Sequence, residues 1–257
     1  MTLSFVEHPS PNFDDRSGRR PVDMVVLHYT GMPTATAALQ RMSDPEAKVS
    51  AHYMIDEDGT VYRLVPEEKR AWHAGVAFWR GVRDVNNRSI GIELVNPGHE
   101  FGYREFPVVQ IDALIALLKD MATRHGVMPG NYLAHSDIAP MRKEDPGELF
   151  PWRRLHAAGF GRWWTDDFKV SPHAPTLQPG ERSGAVLELQ VALDRIGYGI
   201  EGSGVYDPPT EAVVRAFQRH WRQAQVDGIA DAETGSLIRH IAEQVLMRRI
   251  SSERATS

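Results

Sequence analysis

Cysteine is absent from this chain of 257 residues. No disulfide framework and no thiolate-ligated metal site can be built, so any metal must be held by His, Asp or Glu. Also missing is a run approaching the roughly 20 apolar residues that a membrane-spanning helix needs. The first residues, MTLSFVEHPSPNFDDRSGRR, have neither the basic start nor the apolar core of a signal peptide, and no lipidation cysteine. A soluble, unexported protein is the expectation. An excess of positive charge is lacking too: the net charge is -5, which argues against a nucleic-acid partner.

What is present suits an ordinary globular protein, with 42% hydrophobic and 25% charged residues. At roughly 150 residues per domain, the length allows one large domain or two modest ones.

The first apolar run, Val22 to Tyr29 (VDMVVLHY), is short and rich in β-branched residues, as a buried strand is. Thr34 to Met42 reads as a short helix. Ala51 to Ile55 and Thr60 to Leu64 flank Asp56-Glu57-Asp58-Gly59, a hairpin turn of Asp-Gly type. Ser89 to Val95 (SIGIELV) is another strand. Pro107 to His125 carries apolar residues at helical spacing, with Gly126 where a cap belongs. Tyr132 to Ala134 is a short strand leading into His135. Strands interleaved with helices predict a mixed α/β layer structure.

After Trp163-Trp164 the composition changes. Ser171 to Gly184 is rich in Pro, Gly and Ser and has no apolar period, as expected of a linker. Beyond it the pattern is helical, with stripes at Val186, Leu189, Leu193, Ile196 and at Val213, Phe217, Trp221, and a third helix expected from Thr234 to about Met247. Gly204-Val-Tyr-Asp207-Pro-Pro-Thr210 and Gly228-Ile-Ala-Asp231-Ala-Glu-Thr234 repeat one frame, G-x-x-D-x-x-T. Each Asp is placed to cap the following helix, and Pro208 takes the favoured first helical position. The expected organisation is a catalytic domain over 1–168, a linker over 169–184 and a three-helix domain over 185–257.

Three positions carry the chemistry. His28 ends the first strand (VVLHYT), His135 ends a later one (YLAHSD), and Asp145 follows ten residues on in a loop, MRKEDPG. Ends of neighbouring strands face one crevice, where loops complete a site. Two imidazoles and a carboxylate suit a zinc ion with its fourth position open, the mark of a catalytic centre. On residue types alone, an ordinary hydrogen-bonded histidine at a strand end is the competing account.

The segments VVLHYT, SAHYMIDEDGTVYRLV, AWHAG, NNRSIGIEL and AHSDIAPMRKEDPG occur in this order between residues 20 and 160. Together they resemble the N-acetylmuramoyl-L-alanine amidases of the type-2 zinc family, which includes phage lysozyme-amidases and animal peptidoglycan-recognition proteins. The resemblance implies a mixed β-sheet flanked by helices, zinc on His28, His135 and Asp145, and hydrolysis of the bond between N-acetylmuramic acid and L-alanine in peptidoglycan or muropeptides. It also implies that Glu93 is the general base and that Lys143 stabilises the oxyanion. Some phage members carry a catalytic tyrosine where this chain has Ala51, which moves proton transfer onto Glu93. His52 reads as structural. Trp72 and His73 are candidates to line the substrate groove, and Arg88 to pair a peptide carboxylate.

The segments LELQVALDRIGY, GVYDPPTEAVVRAFQRHW and VDGIADAETGSLI, within residues 178–245, resemble the three-helix peptidoglycan-binding domain appended to many wall hydrolases. Such a domain raises local substrate concentration by tethering. Recognition without catalysis is the rival reading. Family members of that kind lose a zinc ligand, whereas all three stand here. The absent signal points to the cytoplasm; a wall-binding domain fits the periplasm or cell wall as the alternative. Nothing in the sequence sets an oligomeric state.

Overall fold

The computed structural model describes residues 3–18 and 21–255, with side chains to residue 248; residues 1, 2, 19, 20, 256 and 257, which fall within the expected segments 1–168 and 185–257, lie outside it. The chain is a mixed α/β protein with an all-helical C-terminal part. Its central strands are β3 (Met24–Tyr29) and β7 (Ser89–Leu94), paired in parallel along their whole lengths. β8 (Tyr132–Ala134) pairs with the outer side of β3, and β4 (Tyr53–Ile55) with the outer side of β7. The expected hairpin joins β4 to β5 (Val61–Arg63), and β1 (Phe5–Glu7) closes the edge, so the order is β1-β5-β4-β7-β3-β8. Two three-residue strands that hydrophobic pattern did not announce, β2 (Phe13–Asp15) and β6 (Lys69–Ala71), form a small separate ribbon.

Alternation along β7 divides labour between the faces of the sheet. Ile90, Ile92 and Leu94 enter the main core with the buried face of α3 (Val108–Met121), namely Ile111, Leu114, Leu117 and Leu118. Each such side chain contributes about 1.5–3 kcal/mol on burial. Ser89, Gly91 and Glu93 occupy the opposite face. There α1 (Ala35–Ser43), capped by Thr34 accepting from the Ala37 N–H at 3.1 Å, packs Ala38 and Met42 against Met54, Val65 and Val95.

α3 ends four residues earlier than expected, and Gly126 does not cap it. The Thr123 hydroxyl donates to the Asp120 carbonyl, and Arg124 and His125 turn to meet the Glu67 carboxylate at 2.9 and 2.7 Å. These contacts outbid another helical turn. After α2 (Gly98–Phe101), β8 runs straight into the one-turn helix α4 (His135–Ile138), and α5 (Trp152–Ala157) follows the loop that carries Asp145.

The C-terminal helices are α6 (Gly184–Ile196), α7 (Pro208–Trp221) and α8 (Ala232–Ala255). The repeated frame is a repeated network. Asp207 and Asp231 accept from the N–H groups of Thr210 and Thr234 at 3.0 and 2.9 Å, as the capping reading requires. Buried Gln190 and Gln218 each bind the loop before the next helix, accepting from the N–H of Gly204 and of Gly228, both at 2.8 Å.

The expected linker has structure of its own, because Leu177 bridges to Ala230 and Arg182 to Val205. The helical part is not held by a loose tether. One continuous core includes Trp152, Tyr198, Phe217 and Trp221, and Trp79 packs edge-on against Tyr198 at 5.2 Å. Among the described residues, no helix is long and apolar enough to cross a membrane.

Candidate active site

His28 and Glu93 are register partners at the C-terminal ends of the two central strands, so their side chains emerge side by side on one face. His135 opens α4 immediately after β8, and Asp145 comes from the loop beyond. His28 Nδ1, His135 Nδ1 and Asp145 Oδ2 form a triangle with sides of 2.9, 3.0 and 3.0 Å. All three residues are buried.

Hydrogen bonds behind the triangle settle what its atoms are. The Ser89 hydroxyl donates to the Val85 carbonyl at 2.7 Å, so at 3.2 Å its oxygen accepts from His73 Nε2. His73 Nδ1 is then an acceptor, and His28 Nε2 donates to it at 3.1 Å. The remaining nitrogen of His28, Nδ1, turns a lone pair into the triangle. His135 Nε2 faces the Ala74 carbonyl at 3.2 Å, which can only accept, so the ring's hydrogen sits on Nε2 and Nδ1 turns a lone pair into the triangle. Burial and the adjacent His135 push His28 down to about 4, which keeps it neutral at pH 7. Two lone pairs and a carboxylate oxygen about 3 Å apart repel one another unless a cation lies between them. A zinc ion, which takes His nitrogen and Asp oxygen at roughly 2.0–2.2 Å with tetrahedral preference, fits this donor set, and the three residues form a group able to hold a metal.

Glu93 stands beside the triangle. Its Oε2 is buried without a partner. Burial, reinforced by the charge of Asp145, raises its carboxyl well above the usual carboxylate range, against the pull of Lys143. Lys143 is exposed, yet its charge acts on both Glu93 and His28. The structure therefore brings together His28, His135 and Asp145, with Glu93 in register beside His28, while Lys143 lies in the loop two residues before Asp145.

Each of the other three candidates is engaged by protein groups. His73 is buried; it lies flat on β7 over Gly91, where any side chain would collide with its ring, and its Nδ1 accepts from His28. The Trp72 indole donates to Asp14 at 2.7 Å, which ties it to the β2–β6 ribbon. Arg88 sits at the N-terminal end of β7, ion-paired with Asp23 before β3, at the end of the strands opposite the triangle. His52 is structural as expected, buried and accepting from the Gly91 N–H at 3.0 Å.

Residues 18–148 match the family model described as N-acetylmuramoyl-L-alanine amidase. The chain belongs to this amidase family. Residues 182–238 match a second model, described as a putative peptidoglycan binding domain. The N-acetylmuramoyl-L-alanine amidase AmiD of Escherichia coli is 36% identical over 242 residues, covering 87% of this chain and 83% of AmiD. The solved complex of that enzyme with the substrate anhydro-N-acetylmuramic acid-L-Ala-D-gamma-Glu-L-Lys superposes with a TM-score of 0.75, at 34% identity over 90% of this chain and 92% of the other. AmpDh3 of Pseudomonas aeruginosa, solved with an anhydromuramic pentapeptide, gives 0.73 at 31% identity over 87% of this chain and 92% of its own. The 1,6-anhydro-N-acetylmuramyl-L-alanine amidase AmpD of Enterobacter cloacae is 34% identical over 166 residues, covering 58% of this chain and 87% of that enzyme. As a member of the family, the chain is an amide hydrolase.

Residue types alone missed the supports of this amidase's site, Ser89 and the Ala74 carbonyl. The only signal for the first was its place in S-x-G-x-E, the three residues of β7 that share the face with His28.

Proposed function

We propose that this amidase is zinc-dependent and hydrolyses the amide bond between N-acetylmuramic acid, in its anhydro form, and the L-alanine of a muropeptide stem. The observation that carries the reading is the triangle of lone-pair atoms on His28, His135 and Asp145 with an unpartnered, high-pKa Glu93 beside it. The solved relatives that hold anhydromuramic peptides support the substrate class.

Zinc on these three residues would supply Lewis acidity to the scissile carbonyl and to the attacking water. The chain does the rest. Glu93 takes the proton of the water as it attacks and returns it to the departing alanine nitrogen, and its raised affinity for protons suits both halves of that transfer. The Lys143 ammonium offsets negative charge developing on the carbonyl oxygen. The His73 ring and the Ala74 carbonyl fix the orientation of His28 and His135, as partners behind metal ligands do. The helical part, from residue 185 onward, would hold the enzyme on its polymer.

The test is mass spectrometry of digests of anhydro-muropeptides and of intact sacculi by the zinc-loaded protein. Release of free stem peptide from the anhydro-muropeptide is expected. Release from sacculi alone would reassign the substrate to intact wall, and release from neither would sink the proposal.

A further inference from the structure

The helical part grips the candidate metal site from behind at two places. Asp137, two residues after His135, is buried. Its Oδ2 accepts from the Ala134 N–H at 2.8 Å and from His220 Nδ1 at 2.7 Å, and its Oδ1 accepts from the Tyr198 hydroxyl at 2.7 Å. Tyr198 and His220 both come from the helical part. The His220 ring is stacked on Trp152 at 3.7 Å between centroids, so it is held in plane as well as by its donor.

The second grip falls on the loop. Arg219, next to His220 on α7, donates to Glu144 Oε2 at 3.1 Å and lies 3.8 Å from Glu148 Oε2. Glu144 immediately precedes Asp145. Gln223, just past α7, donates to the Phe150 carbonyl at 2.6 Å. His28 is held by the sheet, but His135 and Asp145 come from a four-residue helix and a loop. One turn of helix and an irregular segment do not fix their own geometry, whereas a metal centre needs its ligands placed to about 0.5 Å.

We propose that α7 is a brace for the metal centre, and that Tyr198, Arg219 and His220 are positioning residues that hold α4 and the Asp145 loop where His135 and Asp145 meet His28. This rests on the reading that these three residues bind zinc. On it, the peptidoglycan-binding-like part of this chain serves catalysis on a small soluble muropeptide as well as on wall.

The experiment uses the full chain and two readouts, zinc affinity by chelator competition and the visible spectrum of the cobalt(II) form, which reports ligand geometry. Tyr198→Phe and His220→Phe each remove one donor to Asp137, and Tyr198→Phe does so with the loss of a single oxygen, which keeps the test open if His220→Phe does not fold. Each should weaken zinc about tenfold or more, in the range found for partners behind metal ligands, and shift the cobalt spectrum. Arg219→Met should weaken zinc and Arg219→Lys should restore it. The control is Tyr206→Phe, which breaks a 2.7 Å bond to the Gly228 carbonyl inside the helical part; it should lower Tm and leave affinity and spectrum unchanged. Brace variants that bind zinc like the wild type, or a control that weakens zinc as much as they do, would overturn the brace. A wild-type chain that takes up neither ion would instead overturn the metal reading itself, and that result is visible before any substitution is made.

Discussion

His28 and Glu93 stand in direct register on adjacent parallel strands, one carrying a lone pair into the candidate metal triangle and the other a carboxyl whose buried Oε2 has no partner. On the proposed function, the pairing would separate metal holding from proton transfer. Glu93 makes no hydrogen bond to any of the three candidate ligands, so Glu93→Gln should keep full zinc occupancy while lowering kcat by about 10²–10⁴-fold, the usual contribution of a general base. Metal analysis and turnover on an anhydro-muropeptide check this together. Near-normal turnover in Glu93→Gln would remove the residue from the mechanism.

The chain from Val85 through Ser89 and His73 to His28 makes a second expectation. His73→Gln loses the ring that receives the His28 Nε2 proton and should weaken zinc about 10–100-fold. Gly91→Ala acts from the strand beneath: a methyl there collides with the His73 ring, so the ring must lift. It should cost about 1–3 kcal/mol of stability through overpacking and weaken zinc in the same direction. Chelator competition and thermal unfolding measure the two effects. A Gly91→Ala protein that is destabilised but binds zinc normally would show that His73 does not act through its contact with His28.

Metal occupancy should also be readable as stability. Zinc at about 100 times its Kd adds about 2.7 kcal/mol to a protein that binds it only when folded. For a chain of this size that is a Tm rise of roughly 5–10 °C. Asp145→Ala, which deletes one corner of the triangle, should abolish the rise, and a chelator should reverse it in the wild type. Equal shifts in both proteins would place the bound zinc elsewhere.

Much of this architecture was open to reading from residues. The strands holding His28 and Glu93 are short apolar runs with a polar residue at the end, and the Asp207 and Asp231 caps follow from the G-x-x-D-x-x-T frame. What escaped is what depends on distant packing. His73 looks like half of a flat Trp-His surface until β7 is laid under it, because only the pleat shows that Ser89, Gly91 and Glu93 share its face. Arg88 precedes Glu93 by five residues, but those residues span the strand, which carries the guanidinium to Asp23 at the far end. The pairing of Asp137 with Tyr198 and His220 crosses 61 and 83 residues, and no local pattern announces it. Gly126 failed as a helix stop because Arg124 and His125 were drawn to Glu67, a partner in another segment.

That same partner sets an acid response. Burial alone would raise the Glu67 carboxyl, but hydrogen bonds from Arg124, Tyr53 and His125 outweigh it and hold the group down at about 2, against an ordinary value of 4.5. A carboxyl that is easier to ionise folded than unfolded stabilises the fold wherever it is charged in both states. The contribution is therefore complete above pH 4.5 and is lost as pH falls from there towards 2. Glu67→Gln should cost on the order of 2 kcal/mol at pH 7, as for loss of hydrogen bonds to a charged group, and should flatten the stability curve between pH 4.5 and 2. Denaturant unfolding at a series of pH values measures both. A variant whose stability falls as steeply as the wild type's across that window would locate the acid sensitivity in other carboxylates.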